Sequence, residues 1–327
     1  MMLIINRPHT DPYFNIAAEE YLLKTVERSC FMLWQNEPCV VVGKHQNALA
    51  EINYPFVREN KIPVIRRISG GGTVFHDPGN LNFTFISQGE QEKLVNFRKF
   101  IDPIVTALRN LGVRAEFSGK SDIRVNGLKI SGNAAHVYKN RVLHHGTLLF
   151  SSELSKLEQV LSITTGKFQD KGVKSVRSTV GNIIEFLDRR ITAEEFRDLV
   201  FQKIVQTMSP VEFHDLTKED VEAIRSLVDH KYSSWDWNYG YSPDYSLLHS
   251  VMYGSVKWAL DLNVKKGIIS GAILSENGSA FSENQSFEKL LKGKKHNFAG
   301  LDDFIRGNRS LFVSMGLTPE LILNLLF

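Results

Sequence analysis

The sequence predicts an α+β fold in which a large mixed-sheet domain precedes a small α+β domain. Its 327 residues exceed the usual size of one hydrophobic core. Strand-like alternation and helix-like periodicity are interleaved along the chain rather than confined to separate halves. Residues 235–245 are aromatic, turn-rich and aperiodic, which is typical of a junction. We therefore expect one domain over residues 1–240 and a second over residues 246–327.

Composition and charge argue against a nucleic-acid-binding, membrane or secreted protein. With 43% hydrophobic and 23% charged residues, the chain has the make-up of an ordered globular protein. Its net charge of +3 suits an anionic ligand or an acidic partner, but is too small to indicate nucleic-acid binding. No run approaches the roughly 18 apolar residues of a membrane helix, and the short apolar patch at the N-terminus is too brief for a signal peptide. We expect a cytoplasmic protein that binds neither nucleic acid nor membrane.

The two cysteines, Cys30 and Cys39, both stand inside apolar runs. They are therefore expected to be buried structural thiols. Two cysteines make no disulfide framework, and no cysteine or histidine spacing matches a zinc site. No metal site built from protein side chains is expected.

Secondary-structure signals continue through the whole chain. A helix is expected to start at Asp11-Pro12, because Asp accepts the unpaired N–H groups of a first turn and Pro is favoured there. Residues 80–86 alternate apolar with polar side chains and predict a half-buried strand. Further strands are expected at residues 3–6, 31–34, 39–42, 64–67, 247–260 and 267–274. Further helices are expected at residues 54–60, 97–111, 192–208, 217–232 and 319–325.

The densest chemical signal is RRISGGGTVFHDPGNLNF, from Arg66 to Phe83. Three consecutive glycines after a strand let the backbone approach a ligand closely and turn N–H groups toward a phosphate or carboxylate. Arg66 and Arg67 bring two guanidinium groups to the same place, where charge-assisted bonds to an oxyanion can form. The spacing is neither that of a P-loop nor that of a dinucleotide-binding fold. From spacing alone, a surface hairpin with two solvated arginines remains the alternative.

A second signal is the predicted hairpin SDIRVNGLKISG, whose Asn126-Gly127 turn is strongly favoured. The expected pairs are Val125 with Leu128, Arg124 with Lys129, and Ile123 with Ile130. Arg124 opposite Lys129 places two like charges together, which normally destabilises a sheet. Three arrangements remain open: both side chains extend into water, an anion lies between them, or Asp122 does.

The segment NRVLHHGTLLF carries two adjacent histidines. In a strand, His144 and His145 point to opposite faces, so they cannot chelate one metal ion together. At least one is expected to be a structural or hydrogen-bonding residue, and the same holds for His76 beside Asp77. The motifs of zinc proteases, serine hydrolases and thiol proteases do not occur.

Taken together, these segments resemble the lipoate–protein ligase A family of the lipoate/biotin ligase superfamily. The resemblance spans essentially the whole chain. The glycine motif points to the superfamily, and its combination with the lysine and HHGTLL motifs points to the lipoate branch. The matching segments are FNIAAEE at 14–20, Trp34, VVGKHQN at 41–47, RRISGGGTVFHDPGN at 66–80, KISGNA at 129–134, HHGTLL at 144–149, GVKSVRS at 172–178 and WDWNYG at 235–240.

The resemblance implies a catalytic domain of the biotin/lipoate ligase type over residues 1–240 and a small C-terminal accessory domain over residues 246–327. It implies an enzyme that uses ATP with Mg²⁺ to convert lipoate, or octanoate, into lipoyl-AMP and pyrophosphate. The lipoyl group would then pass to a lysine of a carrier protein. The implied carriers are lipoyl domains of 2-oxo acid dehydrogenase acyltransferase subunits and the glycine-cleavage H protein.

The resemblance also assigns roles to residues. Lys129 is the expected catalytic cation, because a compact ammonium can contact both the carboxyl and the phosphoryl oxygens. Lys174 and Arg177 are expected in a loop that closes over the acyl-adenylate. The lipoyl chain is expected to contact Arg67, Ser69, His76, Ile16, Glu19, Trp34, His145 and Thr147. The nucleotide is expected to contact Gly72, Thr73, Val74, Phe75, Asn80, Asp122 and Ala134.

Two positions depart from the family pattern, and neither removes a charge that the chemistry needs. Ile68 stands where a small polar residue often occurs, and Ser121 stands where an Asn can precede the aspartate. Three alternatives stay open. They are a lipoyltransferase that accepts only preformed lipoyl-AMP, an ATP-independent octanoyltransferase that needs a reactive cysteine near the site, and a binding module without turnover. Biotin ligation is less favoured, because HHGTLL and FNIAAEE match the lipoate branch.

Residues 165–178, TGKFQDKGVKSVRS, contain four lysines or arginines after the first glycine and few apolar anchors. Such a segment buries too little surface to order itself. We expect it to be mobile until the phosphate of an acyl-adenylate gives its cations a partner, with the small domain pivoting at residues 235–245. A permanently flexible surface loop is the alternative.

Overall fold

A computed structural model describes residues 1–6, 9–89, 95–163, 166–208 and 210–327. The chain divides into two compact units, each assembled from segments that are not contiguous in sequence. Unit 1 comprises Met1–Lys44, Ile62–Glu158 and Ser175–Ser233, and unit 2 comprises His45–Lys61, Gln159–Lys174 and Ser234–Phe327. The division into functional domains at residues 240 and 246 stays a prediction.

The strands and helices are numbered in chain order. The strands are β1 (Met2–Ile5), β2 (Cys30–Trp34), β3 (Cys39–Val42), β4 (Val64–Arg66), β5 (Val74–His76), β6 (Asn80–Gln88), β7 (Glu116–Ser118), β8 (Asp122–Val125), β9 (Leu128–Tyr138), β10 (Arg141–Leu149), β11 (Lys167–Asp170), β12 (Val211–His214), β13 (Tyr245–Tyr253), β14 (Val256–Lys265), β15 (Ile268–Glu276) and β16 (Ser279–Ala280). The helices are α1 (Pro12–Thr25), α2 (Tyr54–Glu59), α3 (Phe97–Asn110), α4 (Leu154–Leu161), α5 (Ala193–Met208), α6 (Lys218–Leu227), α7 (Asn284–Leu291), α8 (Phe298–Gly307), α9 (Arg309–Ser314) and α10 (Pro319–Leu326).

Unit 1 contains a mixed sheet of eight strands in the order β12-β1-β2-β6-β10-β9-β8-β7. β1 runs parallel to β12 and β2, while β6, β10, β9, β8 and β7 continue the sheet in antiparallel pairs. A smaller sheet of three strands, β4-β3-β5, carries the glycine motif between β4 and β5. The expected mixed sheet of an α+β domain is therefore confirmed.

Helix α1 begins where the sequence predicts. The side chain of Asp11 accepts a hydrogen bond from the backbone N–H of Tyr13, and Pro12 occupies the first turn. Most of α1 is buried, because it packs against β4, β6 and β10 of unit 1. This burial brings the FNIAAEE segment, including Ile16 and Glu19, onto one face of the large sheet.

The main apolar core lies on the opposite face of that sheet, beneath α3 and α5. Phe85 of β6 packs against Phe100 of α3, and the ring of Phe150 stacks on Phe196 of α5 at 4.3 Å between centroids. Since α1 covers one face of β6 and α3 covers the other, residues 80–87 are all buried. The prediction of a half-buried strand at residues 80–86 was therefore wrong.

Unit 2 contains an antiparallel sheet in the order β11-β13-β14-β15-β16, together with α2 and α7 to α10. Residues 247–260 form two strands, not the single predicted one, because the chain turns at Gly254, whose φ is +63°. Asp236–Gly240 is a π-helical turn, so the prediction of an aperiodic segment there was also wrong. In the part of the chain that the structure describes, no helix has the length and apolarity that crossing a bilayer requires.

Candidate active site

An acidic side chain separates the two like charges of the predicted hairpin. Arg124 lies opposite Lys129 across the Asn126-Gly127 turn, as the sequence predicts. Asp122 accepts from both: its Oδ2 lies 3.0 Å from Arg124 Nη2 and its Oδ1 lies 2.9 Å from Lys129 Nζ. Of the three arrangements that the sequence left open, the structure adopts the one with Asp122 between the cations. The shared carboxylate relieves the like-charge repulsion and holds the Lys129 ammonium in place.

A β-bulge in β9 decides which way Lys129 points. Beyond the Arg124–Lys129 pair the register shifts, so Ile123 lies opposite Ser131 and not opposite Ile130. The predicted pairing of Ile123 with Ile130 was therefore wrong. One extra residue in a strand exchanges the faces of the residues on either side of it. As a result, Lys129 shares a face with Gly132, where a Cβ added to the glycine would lie 3.2 Å from Nζ.

Gly132 links this lysine to β10. The backbone N–H of Gly132 donates to Thr147 Oγ at 3.2 Å, and Ala134, two residues farther along β9, lies opposite His145. Lys129, Thr147 and His145 therefore lie on the face of the sheet that α1 covers. The backbone of Lys129 is itself fixed, since its N–H donates to the Thr179 carbonyl and its own carbonyl accepts from Gly181.

Arg67 binds the glycine loop from within. Its guanidinium donates to Ser69 Oγ at 3.0 Å, and to the carbonyls of Val41, Gly70 and Gly72 at 3.0, 2.6 and 2.7 Å. Burial lowers the pKa of Arg67 to about 10, so the group remains charged at neutral pH. Arg66 is also buried and donates to backbone carbonyls at residues 43 and 44. The alternative of two solvated arginines is thus excluded, and these cations serve first to shape the loop.

Two glycines of the loop lie close to neighbouring side chains. Gly71 has a φ of +88°, which favours glycine, and a Cβ there would lie 3.1 Å from Arg67 Nη2. A Cβ on Gly72 would lie 3.0 Å from Ser175 Oγ, which accepts a 2.9 Å hydrogen bond from the N–H of Thr73. Residues with side chains at these two glycines would therefore push the loop away from its present path.

A buried polar chain runs from the loop to α1. Arg67 Nε donates to Ser69 Oγ, Ser69 Oγ lies 2.7 Å from His145 Nε2, and His145 Nδ1 lies 2.9 Å from both carboxylate oxygens of Glu19. Because Ser69 already accepts from Arg67, its hydroxyl hydrogen is available for Nε2, which leaves the Nδ1 hydrogen for Glu19. His145 is thereby held as an oriented, hydrogen-bonded ring on the site face.

Glu19 is also linked to Trp34 through a hydroxyl group. Thr84 Oγ donates to Glu19 Oε1 at 2.6 Å and accepts from Trp34 Nε1 at 2.9 Å. Trp34 and Glu19 are thus joined through one hydroxyl, and both are almost fully buried. Thr84 carries this link although it was not predicted as a site residue. Its alternation with Phe83 and Phe85 was the available signal, but alternation alone does not show that the polar face is buried.

His76 is a neutral histidine with one nitrogen in use. Its Nδ1 lies 3.1 Å from Asn36 Nδ2, which donates, while Nε2 is buried without a hydrogen-bond partner among the described residues. Burial, and then the charge of Arg67, lower its pKa to about 3. The ring lies edge-on to Trp34, with centroids 6.0 Å apart.

His144 and His145 point to opposite faces, which confirms the prediction from strand geometry. The ring of His144 stacks on Phe100 at 5.0 Å, and its Nε2 lies 3.2 Å from Asn133 Oδ1. Burial lowers the pKa of His144 to about 3. His144 is therefore a core histidine, and His145 is the one that belongs to the site.

The structure brings most of the predicted site residues onto one face of unit 1. Gly71 approaches Ala134, with 3.8 Å from a Cβ placed on Gly71 to the Ala134 Cβ. β5 supplies Val74, Phe75 and His76, and β6 begins at Asn80. Lys174 belongs to unit 2 and Arg177 to unit 1. The contacts of these residues with the lipoyl chain, the nucleotide or a closing loop stay predictions.

The fold and the site together define an acyl-activating enzyme: the glycine loop offers backbone suited to phosphate, and Asp122 holds the Lys129 ammonium in place. The chain belongs to the lipoyl protein ligase A/B family: residues 11–205 match its catalytic domain. The expected family is therefore confirmed.

Known proteins similar to this chain agree with that family. The lipoate-protein ligase LplJ of Bacillus subtilis is 40% identical over 331 aligned residues, which cover 100% of both chains. A crystal structure of lipoate-protein ligase A bound with ATP has a TM-score of 0.62 and 26% identity, and covers 73% of this chain and 98% of its own. A lipoate protein ligase from Thermoplasma acidophilum, studied with its E2 lipoyl domain, has the same fold at a TM-score of 0.62 and 24% identity, covering 73% of this chain and 96% of its own.

Proposed function

We propose that this enzyme is an ATP-dependent lipoate–protein ligase. The observation that carries the proposal is the position of the Lys129 ammonium: it lies over Gly132, whose N–H donates to Thr147, on the face that also holds the glycine loop's neighbour Ala134. Joining a carboxylate to a phosphate brings two anions together, and a preorganised cation between them offsets their repulsion. The names of the related ligases support lipoate as the acid and ATP as the nucleotide.

The first half-reaction forms a mixed anhydride. A carboxylate oxygen of lipoate attacks the α-phosphorus of ATP, the bond from that phosphorus to the bridging oxygen breaks, and pyrophosphate leaves. Lys129 contacts the carboxylate and the α-phosphate, and the loop backbone at Gly72 contacts the nucleotide, while the N–H of Thr73 donates to Ser175 Oγ in the protein without ligand. Trp34, Glu19 and His145 enclose the lipoyl chain.

The second half-reaction forms an amide. The ε-amine of a carrier lysine attacks the acyl carbon of lipoyl-AMP, the acyl–oxygen bond to AMP breaks, and the amine loses a proton as AMP leaves. We propose lipoyl domains as the carriers, which the ligase studied with its E2 lipoyl domain supports. The E2-type domains of 2-oxo acid dehydrogenases and the glycine-cleavage H protein are the two carrier classes to compare.

Mg²⁺ would arrive on the phosphates of ATP. Mg²⁺ in nucleotide enzymes is commonly held by one or two carboxylates together with substrate phosphates and water. The residues fit that mode, because Asp122 is a half-buried carboxylate beside Lys129, while the described part of the chain holds no cluster of three or more His, Cys, Asp or Glu side chains suited to an all-protein cage. Bound there, the ion would supply charge neutralisation at the phosphates.

Two other mechanisms differ from this proposal: one needs a reactive thiol, and the other does not use ATP. An acyl-cysteine mechanism needs an accessible thiolate, but Cys30 and Cys39 are both fully buried, and burial raises the pKa of the Cys39 thiol. A transferase that uses only preformed lipoyl-AMP would not react with ATP.

We also propose a cytoplasmic location, which two free, buried thiols support.

The test is pyrophosphate exchange. Purified protein is expected to exchange labelled pyrophosphate into ATP only when lipoate or octanoate and Mg²⁺ are present. Exchange without any acyl acid contradicts the proposal. Absence of exchange, with acyl transfer from synthetic lipoyl-AMP retained, assigns the protein to the transferases instead.

A further inference from the structure

Asn80 and Asn82 form a buried amide pair at the start of β6. Both side chains are about 1% exposed or less, and Asn80 Nδ2 donates to Asn82 Oδ1 at 2.9 Å. In the described part of the chain, Asn80 Oδ1 and Asn82 Nδ2 have no hydrogen-bond partner. Exchanging nitrogen and oxygen in both amides reverses the bond but still leaves one donor and one acceptor without a partner. In the orientation that the structure has, the donor without a partner is Asn82 Nδ2.

Asn82 lies one strand away from Thr147, which accepts a hydrogen bond from the glycine beneath the Lys129 ammonium. In register, Asn82 of β6 lies between Trp34 of β2 and Thr147 of β10. Thr147 in turn accepts from Gly132, over which the Lys129 ammonium lies. With neighbouring strands about 4.8 Å apart, an anion above Thr147 has Lys129 on the β9 side and Asn82 on the β6 side.

We propose that Asn82 Nδ2 donates to the second oxygen of the acyl carboxylate, while the first oxygen faces Lys129. The inference rests on the proposed function. A buried donor without an acceptor is costly and uncommon in folded proteins, so the donor is retained for an acceptor that arrives with the substrate. The carboxylate of lipoate is such an acceptor, and it is the part of that substrate which must be held still during attack on the phosphate.

The same donor serves the second half-reaction. The oxygen that Asn82 holds becomes the carbonyl oxygen of the mixed anhydride, and it gains negative charge when the carrier amine attacks the acyl carbon. A fixed donor already in place stabilises that charge without reorganisation. Asn82 would then be a catalytic residue, because it touches the reacting carboxyl group in both steps.

Two substitutions remove the donor in different ways. Asn82→Leu removes both polar atoms, whereas Asn82→Asp keeps the acceptor for Asn80 and replaces only the donating nitrogen. Either variant should lower kcat/KM for lipoate-dependent pyrophosphate exchange about 10²-fold, the usual cost of removing one oxyanion donor, while the KM for ATP stays that of the wild type. Ser87→Ala, at the other end of the same strand, is the matched control and should keep the wild-type value.

Two further measurements complete the test: the same kinetics with octanoate in place of lipoate, and the binding of lipoate without turnover. A donor to the carboxylate predicts the same loss for both acids, because both carry that group. A loss for lipoate alone would assign the donor to the dithiolane ring and overturn the inference, as would unchanged kcat/KM in folded Asn82 variants. Calorimetric titration of lipoate into wild type and Asn82→Asp tests the contact without turnover: weaker binding supports it and equal binding overturns it. A wild type that binds lipoate but does not exchange pyrophosphate would count against the proposed function alone.

Discussion

Lys129 and Gly132, three positions apart on β9, face the same side of the sheet. Residues with an odd spacing in a regular strand point to opposite sides, and the bulge between the Arg124–Lys129 pair and Ser131 removes that difference. The ammonium then lies where a side chain at residue 132 would begin, with 3.1 Å to Lys129 Cε and 3.2 Å to Nζ from a Cβ placed on Gly132. In the sequence KISG, the glycine thus leaves room for the side chain of the lysine three residues before it.

Gly132→Ala should therefore move the ammonium without removing it. Contacts of 3.1–3.2 Å are too close for an ordinary Cβ, so the lysine must give way. A shift of a few tenths of an ångström relieves contacts of this length. Since a displacement of about 1 Å in a positioned group can cost about 10²-fold in rate, we expect lipoate-dependent pyrophosphate exchange to fall by less than that factor. Gly307→Ala is the control, because a Cβ on Gly307 meets no atom within 4 Å. Wild-type exchange by Gly132→Ala would show that the ammonium is not used where the structure places it.

Lys129→Ala should abolish adenylation in a folded protein. Removing one preorganised charge contact commonly costs about 10²–10³-fold, and two anions that must meet make the larger loss reasonable. Thermal unfolding should change little, because Asp122 keeps its ion pair with Arg124 and the core residues Ile123 and Ile130 are untouched. Near-normal exchange by this variant would move the essential cation elsewhere.

The sequence predicted the mixed sheet, the site motifs and helices α1, α2, α3, α5, α6 and α10, because these depend on periodicity, caps and turn residues; it did not predict α4, α7, α8 and α9. It did not predict the bulge, since no residue type marks where the register of β9 shifts, and therefore it could not place Lys129 over Gly132. Nor did it show that α1 covers the polar face of β6. Asn82 and Thr84 consequently looked like solvated residues of a half-buried strand, although both are buried in the site. Burial on a second face is a property of the tertiary fold.

Buried histidines should make the protein sensitive to acid. Burial lowers the pKa of His144 and His76 to about 3, below an ordinary value of 6.5. Between those values the unfolded chain binds the extra proton, so stability is lost as the pH falls from 6.5 toward 3, by at most about 1.4 kcal/mol per pH unit for each histidine. His144→Phe keeps the aromatic stack with Phe100 and should flatten this dependence, measured as the free energy of unfolding against pH. A slope in His144→Phe equal to that of the wild type would contradict the argument.

Cys30→Ser and Cys39→Ser should both retain acyl transfer from ATP and lipoate to a lipoyl domain. Neither thiol is exposed, and burial raises the pKa of Cys39, so neither offers a thiolate to an acyl group. The measurement is single-turnover lipoylation, with circular dichroism to verify that each variant is folded. A folded variant that cannot transfer the acyl group would revive the thiol mechanism.

The last prediction concerns the loop expected to close over the acyl-adenylate, residues 165–178, of which residue 165 lies outside the described residues. Part of this segment is already ordered: Lys167–Asp170 is strand β11 and pairs with β13, and Phe168 packs against Tyr245. The expectation that the segment cannot order itself was therefore wrong for those four residues, because a neighbouring sheet edge supplies what the sequence lacks.

For the remainder of the loop, residues 171–178, closure over the acyl-adenylate stays a prediction. Asp170 binds Lys174 at 2.6 Å, so one predicted lid cation has an acidic partner that it would have to exchange for phosphate. Ser175 accepts from the N–H of Thr73 in the glycine loop, and Val176 next to it is 88% exposed.

Binding of a non-hydrolysable lipoyl-AMP mimic should slow hydrogen exchange in residues 171–178, because the phosphate offers the cations of this loop a partner and closure shields the mixed anhydride from water. Strand β11 should be protected with and without the mimic, and it serves as the internal reference. Asp170→Asn, which frees Lys174 from its carboxylate, should make residues 171–178 exchange faster in the protein without ligand. Equal exchange of these residues in both states of the wild type would rule out the lid and leave the adenylation chemistry unaffected.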